Sequence, residues 1–339
     1  MKKLYFTVLI LVSGYASFAQ QDRNISQWYY SNALYNPAAV ATGEEDLSFF
    51  TNFRSQWLTI PTPGIGMRTN TLVAEFKVPD GFKGSNNFGV GLVALNEQTG
   101  DAKFSTINVN IPINYSLTLD KSNRLTVGIS PGFYQQSTNR NAQTWESGWL
   151  GYGFLNNEET EIGLNQSYAS IDLGLGAFYQ HTTRNKTRIF GGLSLNHITR
   201  QKINFSFGGD RIYMQSVFQA GADISTTKKD LRLQPNLIFS RAGSSNNLIL
   251  GMTLEHILKD RSEVTTINKT TCFNYGFYYR HRDALITSIG FKVKGVRMGL
   301  CFDANLSYLS QATSSVGAVE VYFKTMLLYR KSSTRTKLK

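Results

Sequence analysis

From Asp46 onward the chain alternates apolar and polar residues one for one, and turn-rich segments interrupt the alternation. A period of two sends successive side chains to opposite faces of a strand, where a helix would need a period near 3.6. The pattern predicts about fourteen strands, over 46–56, 68–77, 87–97, 103–117, 123–136, 166–181, 187–198, 211–226, 231–241, 246–257, 270–281, 283–293, 296–306 and 316–329. An even number of strands near ten residues or longer is what a closed antiparallel transmembrane barrel requires. Closure leaves no sheet edge, so every backbone group is satisfied inside hydrocarbon. The expected fold is therefore all-β, a transmembrane antiparallel barrel preceded by a non-strand segment. A soluble β-sandwich also alternates, but its strands run to about five or six residues, shorter than most of these.

The registers carry the expectation further, because a strand slipped by one residue would push its charges into lipid. Ile171, Leu173, Leu175, Ala177 and Tyr179 are predicted to face out, with Asp172, Gly174 and Gly176 facing in. Leu248, Leu250, Met252 and Leu254 alternate with Gly251, Thr253 and Glu255. Met298, Leu300, Phe302 and Ala304 alternate with Arg297, Gly299, Cys301 and Asp303, and Val319, Val321, Phe323 and Leu327 with Glu320, Tyr322 and Lys324. In each case the charges share one face. Pro112, Pro131 and Pro235 stand inside predicted strands and remove ladder donors, so a bulge is expected at each.

Residues 1–19 read as a cleaved export signal. Lys2 and Lys3 precede an apolar stretch from Leu4 to Val12, too short to span a bilayer as a helix, and Ser17-Phe18-Ala19 presents small residues at the cleavage site. No cysteine lies near that junction, so a lipoprotein anchor is not expected. The layout that follows is a periplasmic lead-in or plug over 20–45, a barrel over 46–330 and a basic periplasmic tail over 331–339. Starting the chain in the periplasm puts the short turns 118–122, 182–186 and 227–230 inside and the long loop 137–165 outside, as outer-membrane barrels have them. The connections 242–245 and Arg282 are short for outer loops, and 258–269 is long for an inner one.

Composition sharpens this without changing it. Aromatic residues make up 13% and charged residues only 17%, a mixture that favours strands. The formal net charge of +12 is scattered along the chain rather than gathered into a helix or patch, so anionic outer-membrane lipid is the expected counter-charge and nucleic acid is not a partner. Cys272 and Cys301 fall on strands separated by another strand, a poor geometry for a disulfide, and are expected as buried or lipid-facing thiols.

Catalytic signatures are weak. His181, His197, His256 and His281 are dispersed without metal-ligand spacing, and neither a metal nor a cofactor is expected. No nucleophile elbow, phosphate loop or dinucleotide fingerprint occurs; Gly174-Leu175-Gly176 lies in a strand, where its glycines are slim lumen-facing positions. Ser194 and His197, three apart on a strand, face opposite sides and cannot share a proton. The chain is therefore not expected to be an enzyme, with a lipid hydrolase as the catalytic rival and a diffusion porin as the rival within the same fold. Arg54, Glu75, Asp172, Arg232, Glu255, Arg297, Asp303 and Glu320 are expected to line the lumen. Trp145 and Trp149, with Tyr152 and Phe154, give loop 137–165 an aromatic surface suited to a protein partner or to the membrane interface.

Toward the start of the mature chain, Gln21-Asp22, Ser26-Gln27-Trp28-Tyr29, Leu34-Tyr35-Asn36-Pro37-Ala38 and Phe53-Arg54-Ser55-Gln56-Trp57 resemble the opening of the PorP/SprF family of Bacteroidetes outer-membrane proteins. Leu300 to Asn305 followed by Gly317-Ala318-Val319-Glu320-Val321 resembles the family's closing pair of strands. Arg23 departs from the proline usual there. The resemblance implies a role with the type IX secretion system, in export or surface attachment of an adhesin bearing a C-terminal sorting domain, and in gliding motility. It implies that adhesin and the periplasmic ring components as partners. Gln27, Tyr29, Asn36, Pro37, Arg54 and Trp57, with the loop residues Trp145 and Trp149, are the candidate partner-binding positions.

Overall fold

The computed structural model describes residues 25–59, 66–79, 87–100, 103–139, 150–151, 153, 167–202, 211–226, 230–259 and 270–327. The expected export signal, the tail 331–339, and Trp145 and Trp149 lie outside the described residues. The strands are β1 (Leu47–Gln56), β2 (Met67–Pro79), β3 (Asn87–Thr99), β4 (Phe104–Asn110), β5 (Ile113–Thr118), β6 (Asn123–Ser137), β7 (Ser167–Thr182), β8 (Arg188–Asn196), β9 (Gln215–Ser225), β10 (Leu231–Ala242), β11 (Ser245–Lys259), β12 (Thr271–Arg280), β13 (Ala284–Val293), β14 (Val296–Asn305) and β15 (Val316–Leu327). A single helical turn, α1 (Leu309–Thr313), lies between the last two.

All neighbours pair antiparallel, and β1 pairs with β15 over its whole length, from Leu47 opposite Leu327 to Gln56 opposite Ala318. The sheet is thus closed. β4 and β5 both pair with β3 and with β6, so they are two halves of one stave, and the barrel has fourteen staves.

The prolines interrupt the ladder without bulging it. Val93 pairs with Asn110 and Val90 with Ile113, so pairing resumes in unchanged register across Ile111-Pro112. Pro131 sits across the same gap, where its carbonyl accepts from the Ile111 amide at 2.9 Å while Gly91 donates to the Pro112 carbonyl at 2.8 Å. Pro235 breaks pairing with β9 only and stays opposite Met252 on β11. A missing donor therefore costs one local ladder bond here, and the expected extra residue of a bulge is absent because pairing resumes in register past Pro112, and Pro131 and Pro235 stay paired with Leu173 and Met252 on their other side. True register shifts fall elsewhere, between Ile257 and Lys259 and between Asp303 and Ala304.

The four predicted registers all hold. Ile171 is 74% exposed while Asp172 beside it is 3% exposed, and Leu300 and Phe302 face out between the buried Cys301 and Asp303. Exposed apolar side chains such as Phe53, Leu92, Ile129, Leu193, Leu250 and Phe323 circle the outside, on strands spread around the ring. A face that apolar is stable against lipid tails, whereas water would charge about 25 cal/mol for each Å² of it. Both free cysteines are buried and share the inward face of their strands, Cys272 in line with Asn274 and Cys301 with Asp303.

Strand order puts the turns at 119–122, 183–187 and 294–295 on the rim where β1 begins, here the proximal rim, and the ends of β6 and β7 that flank the long loop on the distal rim. At the proximal rim β13 turns into β14 on Lys294 and Gly295, with φ of 51° and 88°. Two consecutive left-handed residues match the twist of the flanking strands, and only the second is the glycine that such a turn favours.

Candidate functional site

Before joining β1, residues 25–45 run inside the barrel, from its distal half down to the proximal rim. No two-residue rhythm exists here. Instead three 3-10 turns, Trp28–Tyr30, Asn32–Leu34 and Pro37–Ala39, let the segment coil tightly enough to fill a lumen. Ile25, Ser26, Gln27, Trp28, Asn36 and Ala38 are each fully buried. The described residues 25–45 occupy the lumen.

The distal anchor is a knot of charges. Glu320 accepts from the Ser26 amide at 2.7 Å, the Gln27 amide at 3.1 Å, the Asn52 side chain at 3.1 Å and the Arg54 guanidinium at 2.5 Å. Asp303 pairs with Arg54 at 2.9 Å and with Arg280 at 3.0 Å. At the centre, the Ser26 hydroxyl donates to Asp303 at 2.7 Å and accepts from Arg54 at 2.8 Å and Arg280 at 2.6 Å. Two cations and two carboxylates, all on barrel strands, therefore meet on one plug residue. Buried ions are tolerated only when paired and hydrogen-bonded in this way.

Midway down, aromatic stacking takes over. Tyr30 stacks on Tyr322 with centroids 4.4 Å apart, and Tyr29 on Tyr278 at 4.5 Å. Arg297 lies 5.0 Å from the Tyr30 ring and pairs with Glu255, and the Tyr30 phenol accepts from Asn274 at 2.6 Å. Lys324 donates to the Tyr30 carbonyl at 2.8 Å.

The plug then crosses to the opposite wall. Asn36 caps the third 3-10 turn by accepting from the Ala38 amide at 2.9 Å, and its amide group donates to the carbonyls of Ala177 and Leu193, a directly opposed pair on β7 and β8. Proline follows at the first position of that turn, where its fixed φ suits it and its missing donor is not needed. Asn114 donates to the carbonyls of Pro37, Ala38 and Val40 at 2.7 to 3.2 Å. The wall behind the turn is glycine. A Cβ on Gly128 would lie 2.8 Å from the Pro37 and Ala38 backbone, and one on Gly176 or Gly192 would strike Asn36.

The proximal end is held by Glu75, which accepts from the Ala41 amide at 2.8 Å, and by Glu45, 3.5 Å from Lys324. Burial opposes ionisation of Glu45, but Lys324, a hydrogen bond from its own backbone amide and Lys77, in that order, outweigh it and hold the carboxyl at about 2.

Among the residues singled out from the sequence, Gln27, Tyr29, Asn36, Pro37 and Arg54 are thus brought into the lumen, where their described contacts are within the chain. Trp57 stands apart at the distal rim with φ of 58°, its amide donating to Gly317. All eight charged residues expected to line the lumen lie on inward-facing positions. Arg280 and Tyr278 were missed, and the partners of Ser26 and of the inward-facing Tyr322 were not foreseen, because these contacts come only from strands distant in sequence. Ser194 and His197 do not face opposite sides as expected, because β8 ends at Asn196 and His197, with φ of 55°, turns inward as Ser194 does; each is engaged elsewhere, the Ser194 hydroxyl donating to the Tyr35 carbonyl at 2.7 Å and His197 lying 2.8 Å from Asp172. Gln201 donates to the same carboxylate at 3.1 Å, forming a second polar knot near the distal rim.

Between the plug and the wall, toward the proximal rim, lie two adjoining cavities of about 330 and 210 Å³. Arg188, Asp223, Arg232 and Glu44 border both.

A closed fourteen-stave barrel with an apolar exterior and a polar lumen stoppered by its own leading segment defines the class, an outer-membrane β-barrel. The chain belongs to the PorP/SprF family, described as type IX secretion system membrane protein PorP/SprF, whose profile matches residues 17–324. Among solved structures it is similar to the CymD monoaromatic hydrocarbon channel, at 10% identity and a TM-score of 0.48 over 88% of this chain and 93% of that one. It is also similar to a Pseudomonas aeruginosa FadL homologue, at 11% identity and 0.47 over 86% and 92%. The P. putida toluene transporter TodX matches at 9% identity and 0.45 over 88% and 94%. No curated protein sequence matches the chain.

Proposed function

We propose that this barrel is a docking component of the type IX secretion machinery in the outer membrane, assisting export, surface attachment or both of a partner adhesin with a C-terminal sorting domain, in the service of adhesion and gliding motility. It works by binding and catalyses no reaction. Periplasmic ring components of the machinery are its further partners, and a cleaved signal delivers it.

The observation that carries this reading is the filled lumen. A diffusion porin needs an open water column, whereas Ser26, Tyr30 and Asn36 tie the plug to three different parts of the wall through buried polar contacts. Membership of a secretion family then favours a role in which the barrel is a rigid platform whose rims face a protein. The test is deletion of the gene followed by quantitation of surface and periplasmic proteins. One adhesin is expected to be stranded inside the cell or shed into the medium; an unchanged surface proteome rejects the role.

A further inference from the structure

Three inward-facing cations near the proximal rim close no hydrogen bond or ion pair among the described residues, and for two of them the carboxylate within reach, Glu255, is already held by Arg297. Arg124 on β6, Arg232 on β10 and Lys292 on β13 make neither a hydrogen bond nor a close ion pair with any described residue, although each is shielded from solvent over part of its surface and Arg232 stands across the ladder from Glu255. Their neighbours differ in this respect. Arg297 holds Glu255, Lys324 lies 3.5 Å from Glu45, and Arg188 lies 3.9 Å from Asp223. Arg124 and Arg232 line the larger cavity, and Arg232 and Lys292 the smaller, so the unpaired charges run along one continuous recess. A half-buried guanidinium without a carboxylate forgoes the strong charge-assisted bonds that its planar fork is shaped to make.

We propose that this recess binds an acidic, extended peptide segment of a protein partner. The lining is of mixed sign: Glu44, Glu45, Asp120, Asp223 and Glu255 stand among the cations, so a compact polyanion such as a phosphorylated headgroup would meet repulsion alongside attraction. Carboxylates spaced along a peptide reach Arg124, Arg232 and Lys292 separately. Thr182, Ser225 and Gln234 supply uncharged groups between them for a peptide backbone. The inference rests on the docking role above and gives that role a chemistry on the rim expected to face the periplasm.

The test uses the full-length protein in detergent micelles and the fluorescence anisotropy of a labelled peptide of alternating Asp and Ser residues. Saturable binding is expected that weakens with added salt, fails with the matching Lys-Ser peptide and is not displaced by millimolar inorganic phosphate. In R124Q/R232Q affinity is expected to fall about tenfold or more, with Arg282→Gln on the distal rim unchanged. If the double variant does not assemble, Lys292→Gln is read in its place, with a smaller loss in the same direction. No saturable binding, equal affinity in R124Q/R232Q or K292Q, or displacement by phosphate as effective as by unlabelled peptide each overturns the proposal. A normal surface proteome after gene deletion would instead reject the secretion role, so the two failures are distinguishable.

Discussion

Arg54 and Glu320 stand directly opposite each other on β1 and β15, the strand pair that closes the barrel, with guanidinium and carboxylate 2.5 Å apart. The same carboxylate takes the Ser26 and Gln27 amides, so one cross-strand pair both seals the cylinder and fastens its plug. Glu320→Ala is expected to leave Arg54 buried with only Asp303 for charge balance. Breaking one side of a buried pair costs about 3–5 kcal/mol, whereas replacing both sides with apolar groups is far milder. Heat-modifiability on gels should therefore show a much lower unfolding temperature for E320A and partial recovery in Arg54→Met with Glu320→Leu.

Gly191 and Gly192 are neighbours on β8 with opposite duties. A Cβ at Gly191 meets nothing nearer than 3.7 Å, while one at Gly192 falls 2.6 Å from the Asn36 amide nitrogen and from the Phe178 ring. Gly191→Ala is expected to be neutral. Gly192→Ala is expected to push the third 3-10 turn off the wall and make the plug more sensitive to added protease, with the strand content of circular dichroism unchanged.

Alternation within the strands was legible almost to the residue, because each strand faces lipid on one side and a polar interior on the other, and only one register keeps Asp172, Glu255 and Asp303 out of hydrocarbon. The rhythm could also pass over Pro112, whose stave is split without losing register. The plug was not legible in the same way. Residues 25–45 have no period of their own, and their path is set by partners hundreds of residues away, Glu320 for Ser26 and Leu193 for Asn36. Lumen-facing glycines hinted at a close neighbour, as at Gly176, but did not say which. The pairing of Arg54 with Glu320 required knowing that the first and last strands meet.

Leu193, 63% exposed, faces out between the inward Gly192 and Ser194. Leu193→Arg places a charge against lipid at a cost of about 2–4 kcal/mol if it lies near the midplane. Reduced assembly into membranes is expected, read as loss of the folded band, whereas Arg282→Ser in the distal turn should assemble normally.

Glu45 supplies a pH dependence at the proximal end of the plug. Its carboxyl lies at about 2 against an ordinary 4.5. A depressed acid stabilises the folded state fully above its unfolded value, and that contribution disappears as pH falls through the folded one. The difference in unfolding temperature between the parent and Glu45→Gln is expected to be present at neutral pH and to vanish between 4.5 and 2. A difference that persists unchanged at the acid end would remove the ionised carboxylate as its cause.

Conductance of the purified full-length barrel in a planar lipid bilayer tests most directly whether the lumen is stoppered by residues 25–45. The expected result is a closed barrel, with steady ohmic steps appearing only in a variant lacking that segment. Stable open-channel steps from the unaltered protein, equal to those of the shortened variant, would contradict it.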